Sequence, residues 1–407
     1  MDYEFLSPDT VGDYIRQRPE LQGVINPDLI DSVEEVGDGN LNLVFIIRDG
    51  EGHSVVLKQA LPYVRLVGPE WPMTPYRAAK EANALATHSA LTPDLVPSTY
   101  FYDEARFIIG MEDLSEFRVW RGAMIDGLRH EGVAADMGRY VAHVAFGTSL
   151  FGVDPEKHKE LVASAVNPEL CKITEDLVFT EPHDDIGRNE VLPANEADAN
   201  EHAADSQMID AMGEAKWKFM TRAEALIHGD LHTGSVMVRA LSGDEGPSES
   251  RAFDSEFAFY GPVAFDLGAL WANYTLASAR WTALGRDDLA TWSLSLVEET
   301  WQAFESAFRG LYPQRIDNRV WKDGSLDYLL EGWREEAWLF AAAKMSRRIV
   351  GLAKVKDIET LEPTLREGAA RGILKLARHV AQERKRTSDP QRFIELAGSV
   401  LLENRTG

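Results

Sequence analysis

Leu226-Ile-His-Gly-Asp-Leu-His-Thr-Gly-Ser235 decides how the rest of this chain reads. The run opens on apolar residues that suit a short strand, and Val236-Met-Val238 directly after it suits another. A strand ending there delivers Asp230 to a loop tip, where its carboxylate can accept a proton from an attacking hydroxyl. His228, His232 and Ser235 crowd the same loop, as supports of its backbone or as contacts to a phosphate. Downstream, Ala252-Phe-Asp-Ser-Glu-Phe257 brings a second acidic pair. Asp254 suits a magnesium ion bridging nucleotide phosphates, and Glu256, two residues on, shares its face if the segment is extended. One loop carboxylate followed by a cation-holding pair is the logic of phosphoryl transfer, where a protein supplies positioning and charge neutralisation. A polar turn capped by an aspartate would explain the first run alone, but not the two together.

Working upstream, Glu35-Val-Gly-Asp-Gly-Asn-Leu-Asn-Leu-Val-Phe45 places Gly37 and Gly39 between apolar strand residues. With Asp38 and Asn40 they permit a tight turn whose N–H groups can face phosphate, although an ordinary hairpin has the same look. Val55-Val-Leu-Lys58 then closes an apolar strand on a lysine, the residue expected to hold the nucleotide's α- and β-phosphates. Glu81, on a predicted helix over 76–89, is the carboxylate to hold that lysine.

Strands are expected over 43–48 and 54–59 around the Asp49-Gly50-Glu51-Gly52 turn, and again near 97–103 and 105–111. Ser7-Pro8-Asp9 signals a first helix, and Asn26-Pro27-Asp28 another. Residues 67–75 read as a proline-rich loop, 114–153 as long helices, 181–206 as an exposed polar excursion, and 265–402 as almost entirely helical. Strands first and helices after predict an α+β, bilobal chain. The small, ATP-binding lobe would span 1–114, and the large lobe, with the catalytic loop and the acceptor site, 115–407.

Bulk composition excludes several functions. The 407 residues carry a formal charge of −24. Such a field repels nucleic acid and anionic membranes over a Debye length of roughly 8 Å, so a nucleotide site here requires local cations. No apolar run approaches the ~18 residues that span a bilayer, and the acidic start MDYEFLSPDT lacks an export signal's pattern, so the expected location is cytoplasmic. Cys171 is the single cysteine and reads as a small core residue. The tryptophans at helical spacing, among them Trp271, Trp281, Trp292, Trp301, Trp333 and Trp338, read as core rather than as a stacking platform.

His228-Gly-Asp-Leu-His232 resembles the catalytic loop of the aminoglycoside phosphotransferase and choline kinase group, a branch of the protein-kinase-like fold. Longer stretches narrow this further. Glu35–Phe45, Lys58-Gln-Ala-Leu-Pro-Tyr-Val-Arg65, Glu70-Trp-Pro-Met73, Leu170-Cys-Lys-Ile-Thr-Glu-Asp-Leu-Val-Phe-Thr-Glu-Pro182 and His228–Ser235 are similar to the 5-methylthioribose kinase family, over residues 5 to 400. That resemblance implies ATP and magnesium as cofactors, a small neutral sugar phosphorylated on its anomeric hydroxyl, a place in methionine salvage, and a homodimer. It also implies Asp230 as base and Ser235 in place of the kinases' asparagine. Asp254 and Glu256 become the metal carboxylates, and Glu112 and Leu114 of Met111-Glu-Asp-Leu114 the adenine-binding connector. Arg347 and Arg348 of Ser346-Arg-Arg-Ile-Val-Gly351 match a twin arginine that orients the sugar and offsets charge on the transferring group. The chain departs from the family pattern at Asn83, where a second acid is expected, and across 183–206.

Two other readings stand beside this one. A related kinase could act on another 5-modified ribose, an aminoglycoside or a choline-like alcohol, though an arginine pair in the cleft opposes a cationic acceptor. A non-catalytic nucleotide-binding protein of the same fold would normally lack Lys58, Asp230, Asp254 or Glu256, and all four are present.

Overall fold

Alternation of apolar residues builds a five-stranded antiparallel sheet in the order Ile30–Glu35, Asn42–Asp49, Ser54–Ala60, Ile108–Met111, Thr99–Asp103. The computed structural model describes residues 3–36, 41–64 and 68–406. Phe45, Ile47, Val55 and Leu57 point to one face, where Val11, Tyr14 and Ile15 of the helix Pro8–Arg16 cover them. Ala60, Ile109 and Met111 point to the other, against Ala78, Ala82 and Leu85 of the helix Arg77–Leu91. The turn expected after Asp49 is present, and the Asp49 carboxylate closes it by accepting the N–H groups of Glu51 and His53, each at 2.9 Å.

Ser7 starts the first helix as its sequence predicts, in a reciprocal cap with Thr10. Two other local expectations fail. Asn26-Pro27-Asp28 forms a turn instead of a helix start: the Asn26 side chain accepts the Asp28 N–H at 3.2 Å, and the chain enters its first strand at Ile30. Within the expected proline-rich loop, Gly68–Pro72 pairs with Tyr63–Val64 as a small two-stranded ribbon.

Beyond the sheet the chain is mainly helical, as expected, around the helix Ala264–Ala283, which is buried almost all round. Gly268 sets its closest approach. A Cβ there would lie 2.7 Å from the Phe340 Cβ and 2.8 Å from the Ala337 carbonyl, so the helix Gly324–Ile349 packs nearly backbone to backbone against it. Trp271, Trp301, Trp333 and Trp338 fill the same core and Trp281 a smaller cluster, while Trp292 is partly buried beside the main core. Cys171 is likewise partly buried against that core, and burial pushes its thiol up to about 12. Between 114 and 153 the helices Trp120–Ile125 and Val133–Thr148 alternate with two-residue strands, Arg118–Val119 and His130–Glu131. These strands flank the hairpin Val236–Ala240 and Gly246–Ala252.

The 181–206 segment corrects the expectation of a solvated excursion. Asn195 and His202 are fully buried, and the rings of His183 and His202 stack with centroids 4.9 Å apart. Its acids are partners for the helix Pro363–Glu383: Asp198 pairs with Arg371 at 3.2 Å and Asp205 with Arg378 at 2.6 Å. Among the described residues no helix is long and apolar enough to cross a membrane.

Candidate active site

The strand Ala225–Ile227, paired with Phe259–Gly261, runs directly into the loop that carries Asp230. Two devices fix that loop. The Asp266 carboxylate accepts the N–H of His228 at 2.8 Å and of Gly229 at 3.1 Å. Gly229 has φ +82°, and a Cβ there would sit 2.3 Å from the Phe257 carbonyl, so only glycine fits. His228 joins the two acidic segments: its Nε2–H donates to the Phe253 carbonyl at 2.9 Å, next to Asp254, and its Nδ1 accepts the Asp230 N–H at 3.3 Å.

Asp230 itself has a basic side chain on each side. Lys344 Nζ donates to Oδ1 at 2.9 Å, and His232 Nε2 lies 3.4 Å from Oδ2. His232 Nδ1 accepts the Gly234 N–H at 3.0 Å, which assigns the ring proton to Nε2, facing Asp230. Ser235 Oγ donates to the Asp230 carbonyl at 3.0 Å and lies 3.1 Å from His232 Nδ1, so here it buttresses the loop. Burial pushes the Asp230 carboxyl up, but Lys344, His232 and Arg347 outweigh it and hold the group well below the usual carboxylate range. Burial lowers the His232 imidazole to about 4 against the pull of Asp230, so it is neutral at pH 7.

Across the cleft, Lys58 Nζ is 2.7 Å from Glu81 and also bonded to Asp254. The carboxylate oxygens of Glu81, Asp254 and Glu256 lie within 4.8 Å of one another. Asn42 and Arg77 hold Glu256 at 3.1 and 3.2 Å, and Asn167 Nδ2 binds its carbonyl at 2.9 Å. Arg77 is buried, spending its other donors on the carbonyls of Leu61, Thr74 and Leu41 and on the Asn42 side chain. Burial and the neighbouring Asp254 raise the Glu256 carboxyl, and burial raises Glu81 despite Lys58. Three crowded acids of this kind, all hard oxygen donors, fit a divalent cation of the magnesium class.

Arg347 and Arg348 end the helix Gly324–Ile349, both within the field of Asp230. Arg348 Nη1 donates to the Ala353 carbonyl at 3.3 Å, while Arg347 Nε is buried without a hydrogen-bond partner among the described residues. In the connector, Glu112 exchanges two bonds with Ser98: its N–H donates to the Ser98 carbonyl and its carboxylate accepts the Ser98 N–H, each at 2.9 Å. The Leu114 carbonyl accepts from Phe117 at 2.8 Å. That leaves the Glu112 carbonyl and the Leu114 N–H without partners among the described residues. Gly37, Asp38, Gly39 and Asn40 lie outside the described residues. Asn83 is exposed on the far side of its helix, so that departure does not touch the cleft.

Sequence reasoning missed several members of the site. Lys344 was legible as a lone lysine in the apolar stretch Phe340-Ala-Ala-Ala-Lys-Met345. Asp266 was a lone acid opening an apolar helix. Arg77 and Asn42 gave no such signal, since their partners lie far away in sequence. Arg121 is a further, partly buried cation, 2.7 Å from Asn273 Oδ1, with its Nε 3.5 Å from Asp357 Oδ2.

Residues 32–305 match the family described as "Phosphotransferase enzyme family". A methylthioribose kinase of Geobacillus kaustophilus (strain HTA426) is 41% identical over 86% of this chain and 87% of its own length. One from Geobacillus thermodenitrificans (strain NG80-2) is 38% identical over 89% of each. A third, from Enterobacter sp. (strain 638), is 37% identical over 87% of this chain and 88% of that protein. With a base-like carboxylate, a lysine–glutamate pair and an acid cluster around one cleft, the chain belongs to the phosphotransferase enzyme family, among relatives named methylthioribose kinase.

Proposed function

We propose that this protein transfers the γ-phosphoryl group of ATP to the 1-hydroxyl of 5-methylthioribose, giving 5-methylthioribose 1-phosphate in methionine salvage. The observation that carries the reading is the His228 bridge, which ties the backbone of Asp230 to the carbonyl next to Asp254 and so holds the acceptor side and the phosphate side of one cleft together. Relatives of that name at 37–41% identity supply the substrate.

In this reading Asp230 orients the acceptor hydroxyl and takes its proton. An acid held so low in pKa is a weak base, but phosphoryl transfer has a loose transition state that asks chiefly for alignment and a late proton acceptor. Lys58, steadied by Glu81, holds the α- and β-phosphates. Asp254 and Glu256 hold magnesium, which when bound neutralises phosphate oxygens. The Glu112 carbonyl and Leu114 N–H receive adenine. Arg347 and Arg348 orient the sugar and offset charge on the group in flight. We assign residues 1–114 to the ATP-binding lobe and 115–407 to the lobe with the catalytic loop, in a cytoplasmic homodimer.

The test is magnesium-dependent ADP release with a panel of 5-modified riboses, aminoglycosides and choline, for wild type and Asp230→Asn. Methylthioribose should be the preferred acceptor, and Asp230→Asn should lose ~10²–10⁴ of turnover. Wild-type turnover in a folded Asp230→Asn protein would remove the base, and preference for a cationic acceptor would remove the substrate.

A further inference from the structure

Lys344 is an expensive residue to bury. Its side chain is 3% exposed, its ammonium lies 2.9 Å from Asp230 Oδ1, and it stands 4.5 Å above the Phe265 ring. A buried ion pair is a poor device for stability, because an apolar pair of similar volume does as well or better. Its position is nevertheless tightly specified. The alanine run Ala341-Ala-Ala343 and the contact at Gly268 bring the two helices together, and Phe265, beside the loop anchor Asp266, floors the path of the lysine stem. Such exactness in placing a costly charge points to the group it touches.

We propose that Lys344 is a positioning residue for phosphoryl transfer, pinning Asp230 Oδ1 so that Oδ2 alone is presented to the acceptor hydroxyl. His232 supports this division. At 3.4 Å its Nε2 is too far from Oδ2 for a good hydrogen bond, so that oxygen keeps room for an incoming O–H, whereas Oδ1 is engaged at full strength. Without Lys344 the carboxylate is free to turn toward His232 and Arg347. The cations near Asp230 thereby divide their work: Lys344 fixes the carboxylate, and Arg347 and Arg348 are left for the sugar and the phosphoryl oxygens. This inference rests on the reading of Asp230 as the base.

A mutant cycle tests it, using Lys344→Met, Asp230→Asn and the double variant, each checked for folding by thermal unfolding. Lys344→Met should lower kcat about 10²-fold, the usual result of misplacing a reacting group by an ångström. The KM values for ATP and sugar should stay within about threefold. In the Asp230→Asn background the same change should alter kcat by less than about twofold, since Lys344 acts only through Asp230. If Lys344→Met alone does not fold, the comparison of Asp230→Asn with the double variant still decides. Three results overturn the proposal: kcat near wild type in Lys344→Met, a further loss of about tenfold or more in the double variant, or failure of the double variant to fold. The second would mean that the ammonium meets the phosphoryl group directly, and the third that the lysine is needed for the core itself. Wild-type turnover in Asp230→Asn would sink the base, a failure distinguishable from that of the lysine.

Discussion

Asp266 receives the backbone N–H of His228 at 2.8 Å, from the first turn of the most buried helix in the molecule. The loop that carries Asp230 is thus hung from the core by this acid. Its second oxygen takes the Gly229 N–H, so the two donors leading into Asp230 are both spent on one side chain.

Asp266→Ala should therefore strand two buried N–H groups, each costing about 1–3 kcal/mol. Asp266→Asn, which keeps one acceptor oxygen, should cost less. We expect a lower urea midpoint in that order and a fall in turnover larger than any change in ATP binding. A wild-type midpoint and turnover in Asp266→Ala would show that the loop stands without its anchor.

Arg77 supports the acid cluster in the same indirect way. Arg77→Met leaves the buried Glu256 carboxylate with only Asn42 as a side-chain donor among the residues described, and breaking a buried pair costs about 3–5 kcal/mol. Without the guanidinium the Glu256 carboxyl rises further, so more magnesium should be needed for half-maximal rate. Arg77→Lys keeps the charge but loses the fork and should fall between. Titrating activity against magnesium checks this, and an unchanged midpoint in Arg77→Met would contradict it.

His88 makes stability depend on acid. Its Nε2 donates to the Leu226 carbonyl at 2.9 Å and its Nδ1 accepts from the Tyr140 hydroxyl at 2.8 Å, an arrangement only the neutral ring satisfies. Burial lowers the imidazole from 6.5 to about 4. The folded state thus refuses a proton that the unfolded chain accepts, so stability is complete above 6.5 and is lost as pH falls toward about 4. The loss assigned to this ring is about 3 kcal/mol. Urea midpoints between pH 7 and 4.5 should drop more steeply in wild type than in His88→Gln. Equal slopes would show that the ring is not the sensor.

Much of this was legible because the decisive chemistry sits close together in sequence. Asp230, His232 and Ser235 lie on one loop, and Asp254 and Glu256 lie two residues apart on a left-handed turn rather than the extended segment expected, so spacing alone brought each set together. Lys58 and Glu81 were found by their order along a strand and a helix. What escaped were groups joined only by tertiary packing: Lys344 meets Asp230 from 114 positions away and Arg77 meets Glu256 from 179. No local pattern encodes such a meeting. The 183–206 segment misled for a related reason, since acids that look solvated in a string become partners once Arg371 and Arg378 lie beneath them. At Asn26 the error was local: a Pro-Asp start signal was overruled by a side chain that closes its own turn.

Asp254 carries its carboxylate on a backbone with φ +67°, a left-handed conformation that side chains branched at Cβ strongly resist. Aspartate, asparagine and glycine tolerate it best. Few single changes can therefore silence this acid and leave the fold intact, and a descendant that had lost its chemistry but kept its shape would be expected to bear Asn or Gly at this position. The bend of the chain thus narrows the routes by which such a lineage could drift into disuse.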